Sequence, residues 1–176
     1  LNRACLSGMH AIHLATQMIR LGEAKVVVAG GMESMSKAPH LLMKSRSGYR
    51  IGDGAIVDSM MFDGLTCTIE HCAMGEATER YAQELNLSRE AQDTFSAQSH
   101  ERAAKAQKDG LFVDEITPVS IPSRNGDDFV IAEDEGIRPD IDVASLGRLA
   151  PAFEANGSIT AGNASQISDG AAAVIV

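Results

Sequence analysis

The sequence has few aromatic residues and no long apolar run. Aromatic side chains make up 4% of the 176 residues and tryptophan is absent, which disfavours a protein that stacks single-stranded nucleic acid on its rings. The formal net charge of −9 disfavours general binding of nucleic acid through its phosphates. No stretch reaches the roughly 18 apolar residues of a transmembrane helix, so the sequence predicts no membrane span.

Cysteine is also scarce, with three residues in the chain. An odd and low number predicts reduced thiols rather than a disulfide framework, and it favours a cytoplasmic location. Cys67, His71 and Cys72 lie close together in the sequence. Their spacing matches no zinc motif and provides only three ligands, so we expect no metal site.

The chain is long enough for one ordinary domain, since 44% of its residues are hydrophobic. It begins with leucine rather than methionine, and it ends within an apolar run at positions 171–176. We therefore expect a piece of a longer polypeptide.

One thiol stands directly before a predicted helix. Apolar residues recur at helical spacing from Leu6 to Leu21, and Gly22 predicts the helix end. At a helix N-terminus, unpaired N–H groups and the macrodipole favour the nucleophilic thiolate of Cys5. The alternative is a small buried hydrophobic residue. His10 and His13 on the same helix point away from Cys5 or lie too far along the axis to act as its base.

The rest of the chain predicts mixed helices and strands. Residues 25–29 are expected to form a strand that is buried on both faces and ends at Gly30 and Gly31, so that helix, turn and strand make half of an α/β layer. Helices are expected at 74–85 and 88–109, and a hairpin of strands 116–121 and 129–132 around the turn signal 123–126. A loop of small residues at 161–165 allows the backbone to approach a ligand closely. A strand at 171–176 closes the chain.

A group of basic residues stands out in this acidic chain. No acidic residue occurs from Ser34 to Gly52, whereas Lys37, Lys44 and two arginines do. The segment is either a solvated loop or a contact for an anionic ligand or acidic partner.

Short motifs occur in order over essentially the whole chain. They are NRACLSG (2–8), VVAGGMESMS (27–36), APH (38–40), MG (74–75), LSRE (87–90), QD (92–93), KDG (108–110), DEI (114–116) with Pro118, RLAPAF (148–153), TAGNAS (160–165) and DGAAA (169–173). Together they resemble the thiolases, the family of acetyl-CoA acetyltransferases and 3-ketoacyl-CoA thiolases.

The resemblance implies an α/β fold that forms part of the N-terminal half of a thiolase, with an inserted α+β loop domain. Residues 1–33 and 161–176 would belong to the N-terminal α/β domain, and 34–160 would form the coenzyme A-binding loop domain. Cys5 would be the acyl-accepting nucleophile, with its own N–H as an oxyanion donor. Acyl groups would pass between acyl-CoA and acetyl-CoA or CoA through a cysteine thioester, with coenzyme A thioesters as substrates and no tightly bound cofactor.

The resemblance also implies a path for the pantetheine and nucleotide parts of coenzyme A. Arg138 would meet the phosphates, and Ser165 would hydrogen-bond a pantetheine amide. The residues implied along this path are Leu65, Met74, Arg138, Phe153, Ala161, Ala164 and Ser165.

Three departures from the family pattern are visible. Ala73 stands where much of the family has a histidine, and Leu6 stands where a glycine is common. The family's Asn-Glu-Ala-Phe motif, its Gly-His-Pro histidine and its second cysteine are not in this sequence, so we expect no turnover by these 176 residues alone.

Two alternatives stay open. A non-catalytic protein of thiolase fold would bind acyl-CoA or lipid without forming a thioester, and a ketoacyl synthase would share the fold and a cysteine nucleophile. The motifs at 28–34 and 161–165 favour a thiolase over the synthase, and Cys5 weighs against the non-catalytic protein. Thiolases are typically dimers or tetramers, so the resemblance implies a homodimer or homotetramer for the full-length protein.

Overall fold

The computed structural model describes residues 1–124 and 126–176. Asn125, in the predicted turn at 123–126, lies outside the described residues. The chain divides into two units, the first made of Leu1–Met74 with Ile167–Val176 and the second of Gly75–Gln166. The predicted limits 1–33, 34–160 and 161–176 concern the fold of the whole protein and stay a prediction.

The described residues form four α-helices, two short helical turns and eight strands. In order they are α1 Ser7–Arg20, β1 Val28–Ser34, a 3-10 turn Met35–Lys37, β2 His40–Leu41, β3 Val57–Asp58, a π-helical turn Met60–Gly64, β4 Thr66–Cys67, β5 Cys72–Ala73, α2 Met74–Glu84, α3 Arg89–Lys108, β6 Val119–Ile121, β7 Phe129–Ile131, α4 Val143–Leu146 and β8 Asp169–Ile175.

In the first unit, α1 ends as its sequence predicts. Gly22 has φ 77°, a conformation that glycine adopts without strain. Its N–H donates to the Ile19 carbonyl at 3.1 Å, and the Glu23 N–H donates to the Met18 carbonyl at 2.9 Å. These two bonds form a Schellman motif, which satisfies carbonyls that the helix end leaves open.

The main sheet of the first unit is the antiparallel pair β1 and β8, with Val28 opposite Ile175. The predicted strand 25–29 differs in two respects. It begins later and continues through Gly30 and Gly31, and only Ala29 is buried. Glycine is required at position 30 because a Cβ there would lie 2.7 Å from the Ala172 carbonyl oxygen. The glycines thus allow close strand pairing instead of ending the strand.

A carboxylate joins the end of β1 to the start of β8. Asp169 accepts hydrogen bonds from the Ser34 hydroxyl at 3.2 Å and the Ser36 N–H at 2.9 Å, and a further one from the Ser36 hydroxyl. The hydroxyl and N–H of Ser36, followed by Ser34 and the charge of Lys37, hold the pKa of Asp169 below its ordinary value. The turn after β1 is therefore tied to the beginning of β8.

The second unit begins with a helical pair whose limits the sequence predicts well. Ser88 caps α3 by accepting the Ala91 N–H at 3.1 Å. At the other end Gly110 has φ 68°, and the Leu111 N–H donates to the Ala106 carbonyl at 3.0 Å. The hairpin of β6 and β7 is also present, with Val119 opposite Ile131.

The fully buried side chains of the second unit are unusual because most are polar. Leu146, Glu79 and Thr160 are 0% exposed and Asp93 is 1% exposed. Buried carboxylates are rare unless they are hydrogen-bonded or paired. No helix among the described residues is long and apolar enough to cross a membrane.

Candidate active site

Cys5 lies on a tight turn that leads into α1. The Leu6 N–H donates to the Arg3 carbonyl and the Ser7 N–H to the Ala4 carbonyl, both at 3.1 Å. The Ser7 hydroxyl accepts the Arg3 N–H at 2.8 Å and donates to the Ala4 carbonyl at 2.7 Å. Ala4 has φ 49°, in the left-handed region. The backbone on both sides of Cys5 is therefore fixed.

The thiol of Cys5 is exposed and stands next to the start of the helix. Leu6 is the N-cap of α1, so the first turn of the helix and the positive end of its dipole are adjacent to Cys5. Within the part of the chain that the structure describes, Cys5 is a free, exposed thiol.

Two histidines of α1 contact each other. The ring centroids of His10 and His13 are 5.9 Å apart and their planes are inclined by 31°. Desolvation, followed by the charges of Arg3 and His13, lowers the pKa of His10. Among the described residues, neither ring has a hydrogen bond with Cys5, in agreement with the helical spacing.

Leu65 and Met74 of the first unit lie on one short ladder. They stand at the end of the β4–β5 hairpin away from its turn, and the Met74 N–H donates to the Leu65 carbonyl at 2.8 Å. Leu65 is half-buried and Met74 is 46% exposed. The structure thus brings together these two residues of the implied coenzyme A path.

In the second unit, the small-residue loop at 161–165 is shaped by Thr160 and Asn163. Asn163 Oδ1 accepts the Thr160 N–H at 2.7 Å, and Thr160 Oγ1 accepts the Gly162 N–H at 3.2 Å. The Ala164 N–H donates to the Thr160 carbonyl at 3.0 Å. No buried side-chain nitrogen or oxygen among the described residues lacks a hydrogen-bond partner, while Ala161 and Ser165 are exposed.

The buried carboxylate of Glu79 holds the segment that leads into this loop. Its Oε1 accepts the N–H and the hydroxyl of Ser158, each at 2.6 Å, and its Oε2 accepts the Ile159 N–H at 2.9 Å. Burial alone raises the pKa of Glu79, but these three hydrogen bonds outweigh it and the net pKa is lowered. Glu79 is therefore a stable anion that accepts hydrogen bonds.

A second buried carboxylate, Asp93 of α3, connects two segments of the second unit. Its Oδ1 accepts Asn163 Nδ2 at 2.9 Å and its Oδ2 accepts Arg89 Nε at 2.7 Å. The guanidinium of Arg89 also donates to the carbonyls of Leu146 at 2.6 Å and Leu149 at 3.1 Å. Asp93 thereby links the loop of Asn163 to the segment that leads to Phe153.

Phe153 packs on the backbone of α2. A Cβ at Gly75 would lie 2.2 Å from Phe153 Cζ, so the glycine of the MG motif leaves the space that the ring occupies. Phe153 keeps 37% of its surface exposed. The ring is thus held against the helix while one side stays accessible.

Arg138 is exposed, and its backbone N–H donates to His100 Nδ1 at 3.2 Å. Its sequence neighbours Ile137 and Pro139 lie in the lining of an open cleft of about 670 Å³, which also contains cationic and anionic side chains. The lining residues are Ala104, Lys105, Gln107, Lys108, Asp109, Glu133, Ile137 and Pro139.

The whole chain, residues 1–176, matches the family model described as thiolase, N-terminal domain. The chain belongs to the thiolase family. A probable acetyl-CoA acetyltransferase of Mycolicibacterium smegmatis is 56% identical over 176 residues, which are 100% of this chain and 45% of that protein. A probable acetyl-CoA acyltransferase of Staphylococcus aureus strain COL is 48% identical over 175 residues, 99% of this chain and 44% of that protein.

Solved structures agree with the predicted thiolase fold. The acetyl-CoA acetyltransferase of Syntrophomonas wolfei superposes with a TM-score of 0.91 at 42% identity, over 97% of this chain and 43% of that one. The α/β fold of the N-terminal portion of a thiolase is therefore confirmed. The chain spans less than half the length of these relatives.

The site residues implied by the thiolase motifs divide between the two units. Those in the first unit are Cys5, Leu65 and Met74, and those in the second are Arg138, Phe153, Ala161, Ala164 and Ser165. Among the described residues, no group of three or more histidine, cysteine, aspartate or glutamate side chains is arranged to hold a metal ion.

Sequence reasoning missed the residues that hold the loop in place. Arg89 and Asp93 belong to the LSRE and QD motifs. These motifs contributed to the resemblance to thiolases, but the sequence assigned no structural role to either residue. Asn163 is the only polar side chain between Thr160 and Ser165. Glu79 gave no detectable signal in the sequence, because its burial appears only in the structure.

Proposed function

We propose that this chain carries the nucleophile and a coenzyme A-binding portion of a thiolase acyltransferase. The Cys5 thiolate attacks the carbonyl carbon of an acyl-CoA, and the backbone N–H of Cys5 stabilises the resulting oxyanion. Collapse of the tetrahedral intermediate expels coenzyme A as a thiolate and leaves a thioester on Cys5. The acyl group then passes to the carbanion of acetyl-CoA or back to a coenzyme A thiol.

One observation supports this proposal above the others. Cys5 is an exposed thiol on a hydrogen-bonded turn at the N-terminus of a 14-residue helix, in a chain that matches the thiolase N-terminal domain along its length. A fixed backbone gives an attacking atom a reproducible position. The helix end stabilises negative charge beside the reacting carbonyl.

The proposal includes the contacts to coenzyme A. Hydrophobic Leu65, Met74 and Phe153 suit the pantetheine chain, and Arg138 suits a phosphate. The hydrogen-bonded loop that carries Ala161, Ala164 and Ser165 presents backbone and hydroxyl groups to the pantetheine amides. Glu79 and Asp93 hold that loop in place through hydrogen bonds. We propose no contact between these two residues and coenzyme A.

The finer assignments are part of the same proposal. Reduced thiols support a cytoplasmic location. The broad apolar face of α1 supports association of the full-length protein into a homodimer or homotetramer. The relatives' names support an acetyl-CoA C-acyltransferase within EC 2.3.1. We retain the domain limits 1–33 with 161–176, and 34–160.

A haloacetyl thioester of coenzyme A tests the proposal on this chain. It alkylates a thiolate directly and needs no separate catalytic base. We expect it to modify Cys5 at least ten times faster than a haloacetamide of equal intrinsic reactivity, and we expect free coenzyme A to abolish that advantage. Mass spectrometry of the peptides identifies the modified cysteine, and Cys5→Ser removes the product.

The possible results separate the alternatives. Equal rates for the two reagents, with no competition by coenzyme A, would contradict coenzyme A binding. Binding of coenzyme A by calorimetry without accelerated modification of Cys5 would indicate the non-catalytic protein that binds acyl-CoA. Faster modification of Cys67 or Cys72 than of Cys5 would show that Cys5 is not the reactive thiol.

A further inference from the structure

Cys67 and Cys72 face each other across the hairpin of β4 and β5. They are directly opposite in the antiparallel register, one pair along from Thr66 and Ala73. Both side chains are half-buried, and both are thiols. Residues that are directly opposite in an antiparallel pair place their side chains on the same face of the ladder, with Cβ atoms about 4.5–5.5 Å apart.

The hydrogen bonds of the hairpin define this pair further. The Met74 N–H donates to the Leu65 carbonyl at 2.8 Å, while the Leu65 N–H donates to the carbonyls of Met60 and Met61. The single bond puts Leu65 and Met74 at a hydrogen-bonded position of the ladder. Such pairs alternate along an antiparallel ladder, which makes Cys67 and Cys72 the next one, with Cα atoms about 5.5 Å apart. Disulfides join Cα atoms separated by about 4.4–6.8 Å. The backbone therefore already has a spacing that a disulfide accepts.

The hairpin can make the small remaining adjustment. A disulfide brings its Cβ atoms to about 3.8 Å, closer than the ladder holds them. Each strand has only two residues, and His71 in the connecting turn has φ 54°. The Glu70 N–H lies 3.5 Å from Cys67 Sγ, which places that sulfur at the turn end of the hairpin.

We propose that Cys67 and Cys72 form a reversible dithiol–disulfide site whose substrate is a low-molecular-weight disulfide. The thiolate of one cysteine attacks the small disulfide, forms a mixed disulfide and releases one small thiolate. The second cysteine then attacks the protein sulfur of the mixed disulfide and releases the other. Two protein thiols are oxidised by two electrons, and one small disulfide is reduced to two small thiols, with the two thiol protons passing to the products or solvent.

The site is expected to be easily reduced again. A half-buried disulfide that draws two strands closer than their ladder spacing is less stable towards reduction than a fully buried structural one. In a reducing compartment the pair is a dithiol, and an excess of oxidised small disulfide converts it. This inference does not rest on the proposed acyltransferase function.

Intact mass spectrometry of the chain in a Cys5→Ser background tests the site, because Cys5 is exposed and would react on its own. After incubation with oxidised glutathione, we expect a product that has lost the mass of two hydrogen atoms and carries no glutathione. Glu70 lies between the two cysteines, so cleavage by a glutamate-specific protease leaves two peptides joined only through the disulfide. A reducing agent separates them.

Cys67→Ser and Cys72→Ser in the same background are the matched controls. Each retains one thiol, so each is expected to accumulate one bound glutathione and never to lose two hydrogens. In the Cys5→Ser protein that keeps Cys67 and Cys72, a stable glutathione adduct, a disulfide between two chains, or complete resistance to oxidised glutathione would each overturn the proposal. Should a serine variant fail to fold, the peptide linkage in the Cys5→Ser parent decides the question alone.

Discussion

The carboxylate of Glu79 accepts both polar hydrogens of Ser158, its N–H and its hydroxyl, each at 2.6 Å from the same oxygen. Glu79 is fully buried, and the two residues are 79 positions apart in the sequence. A charge in this position fixes the start of the 158–165 loop on α2 by hydrogen bonds to its backbone. The candidate coenzyme A loop is thus anchored from within the second unit.

Replacing Glu79 by glutamine is expected to destabilise the second unit. The amide keeps one acceptor oxygen but turns an NH2 group towards the N–H of Ser158 or Ile159, so a buried donor loses its partner. Leaving such a group unsatisfied costs about 1–3 kcal/mol. Urea unfolding followed by circular dichroism measures the loss. Glu84→Gln on the exposed side of α2 is the control, and equal free energies for both variants would contradict the expected role of Glu79.

The same carboxylate makes stability depend on pH. Because its pKa is lower in the folded chain, Glu79 contributes stability in full above its unfolded pKa, about 4.3. That contribution is lost as the pH falls through the folded value. Unfolding free energies from pH 7 to 3 are therefore expected to converge for the parent and Glu79→Gln at the acid end. A constant difference over this range would rule out Glu79 as the titrating group.

Asp93→Asn is expected to loosen two segments at once. Both partners of Asp93 are donors, Arg89 on one oxygen and Asn163 on the other, and asparagine offers only one acceptor. Amide hydrogen exchange is expected to accelerate in 146–149 and in 158–163. Asp109→Asn at the C-cap of the same helix is the matched control, since its pair with Lys105 is exposed and worth little. Faster exchange in only one segment would show that Asp93 does not link them.

Gly162→Ala is expected to disturb the core of the second unit. A Cβ at this position would lie 2.4 Å from Leu146 Cδ2 and 2.6 Å from Leu149 Cδ1, and overpacking of this kind costs about 1–3 kcal/mol. Thermal unfolding measures the effect. Gly64→Ala places its methyl in open space and provides the comparison. An unchanged melting temperature for Gly162→Ala would mean that the two leucines move aside freely.

The sequence was most informative where a local rule determines structure. Ser88 and Gly110 mark the ends of α3, and Gly22 marks the end of α1, because caps and left-handed glycines act within a few residues. The same reasoning misplaced β1. A glycine pair usually interrupts a strand, but here it meets Ala172 and Ala173 on β8, a pairing that local patterns do not contain.

The sequence predicted which chemical groups belong to the candidate site, but it did not predict the residues that hold those groups in place. Cys5 and the loop at 161–165 carry recognisable motifs, whereas their supports depend on contacts between distant parts of the chain. Glu79 meets Ser158, and Asp93 meets Asn163, through the packing of α2 and α3. A single sequence shows Glu79 and Asp93 as ordinary acidic residues on surface-like helices, and their burial appears only in three dimensions.

The link between Ser34 and Asp169 spans 135 positions of the chain, and all of the second unit lies inside that span. During synthesis, residues 75–166 leave the ribosome before β8 does, so β1 and β8 can pair only after the whole second unit has been made. Closing so long a loop is entropically costly and slow. We therefore expect the β1–β8 pair to form late, and we expect ordering of the intervening unit to shorten the effective loop that this pair has to close.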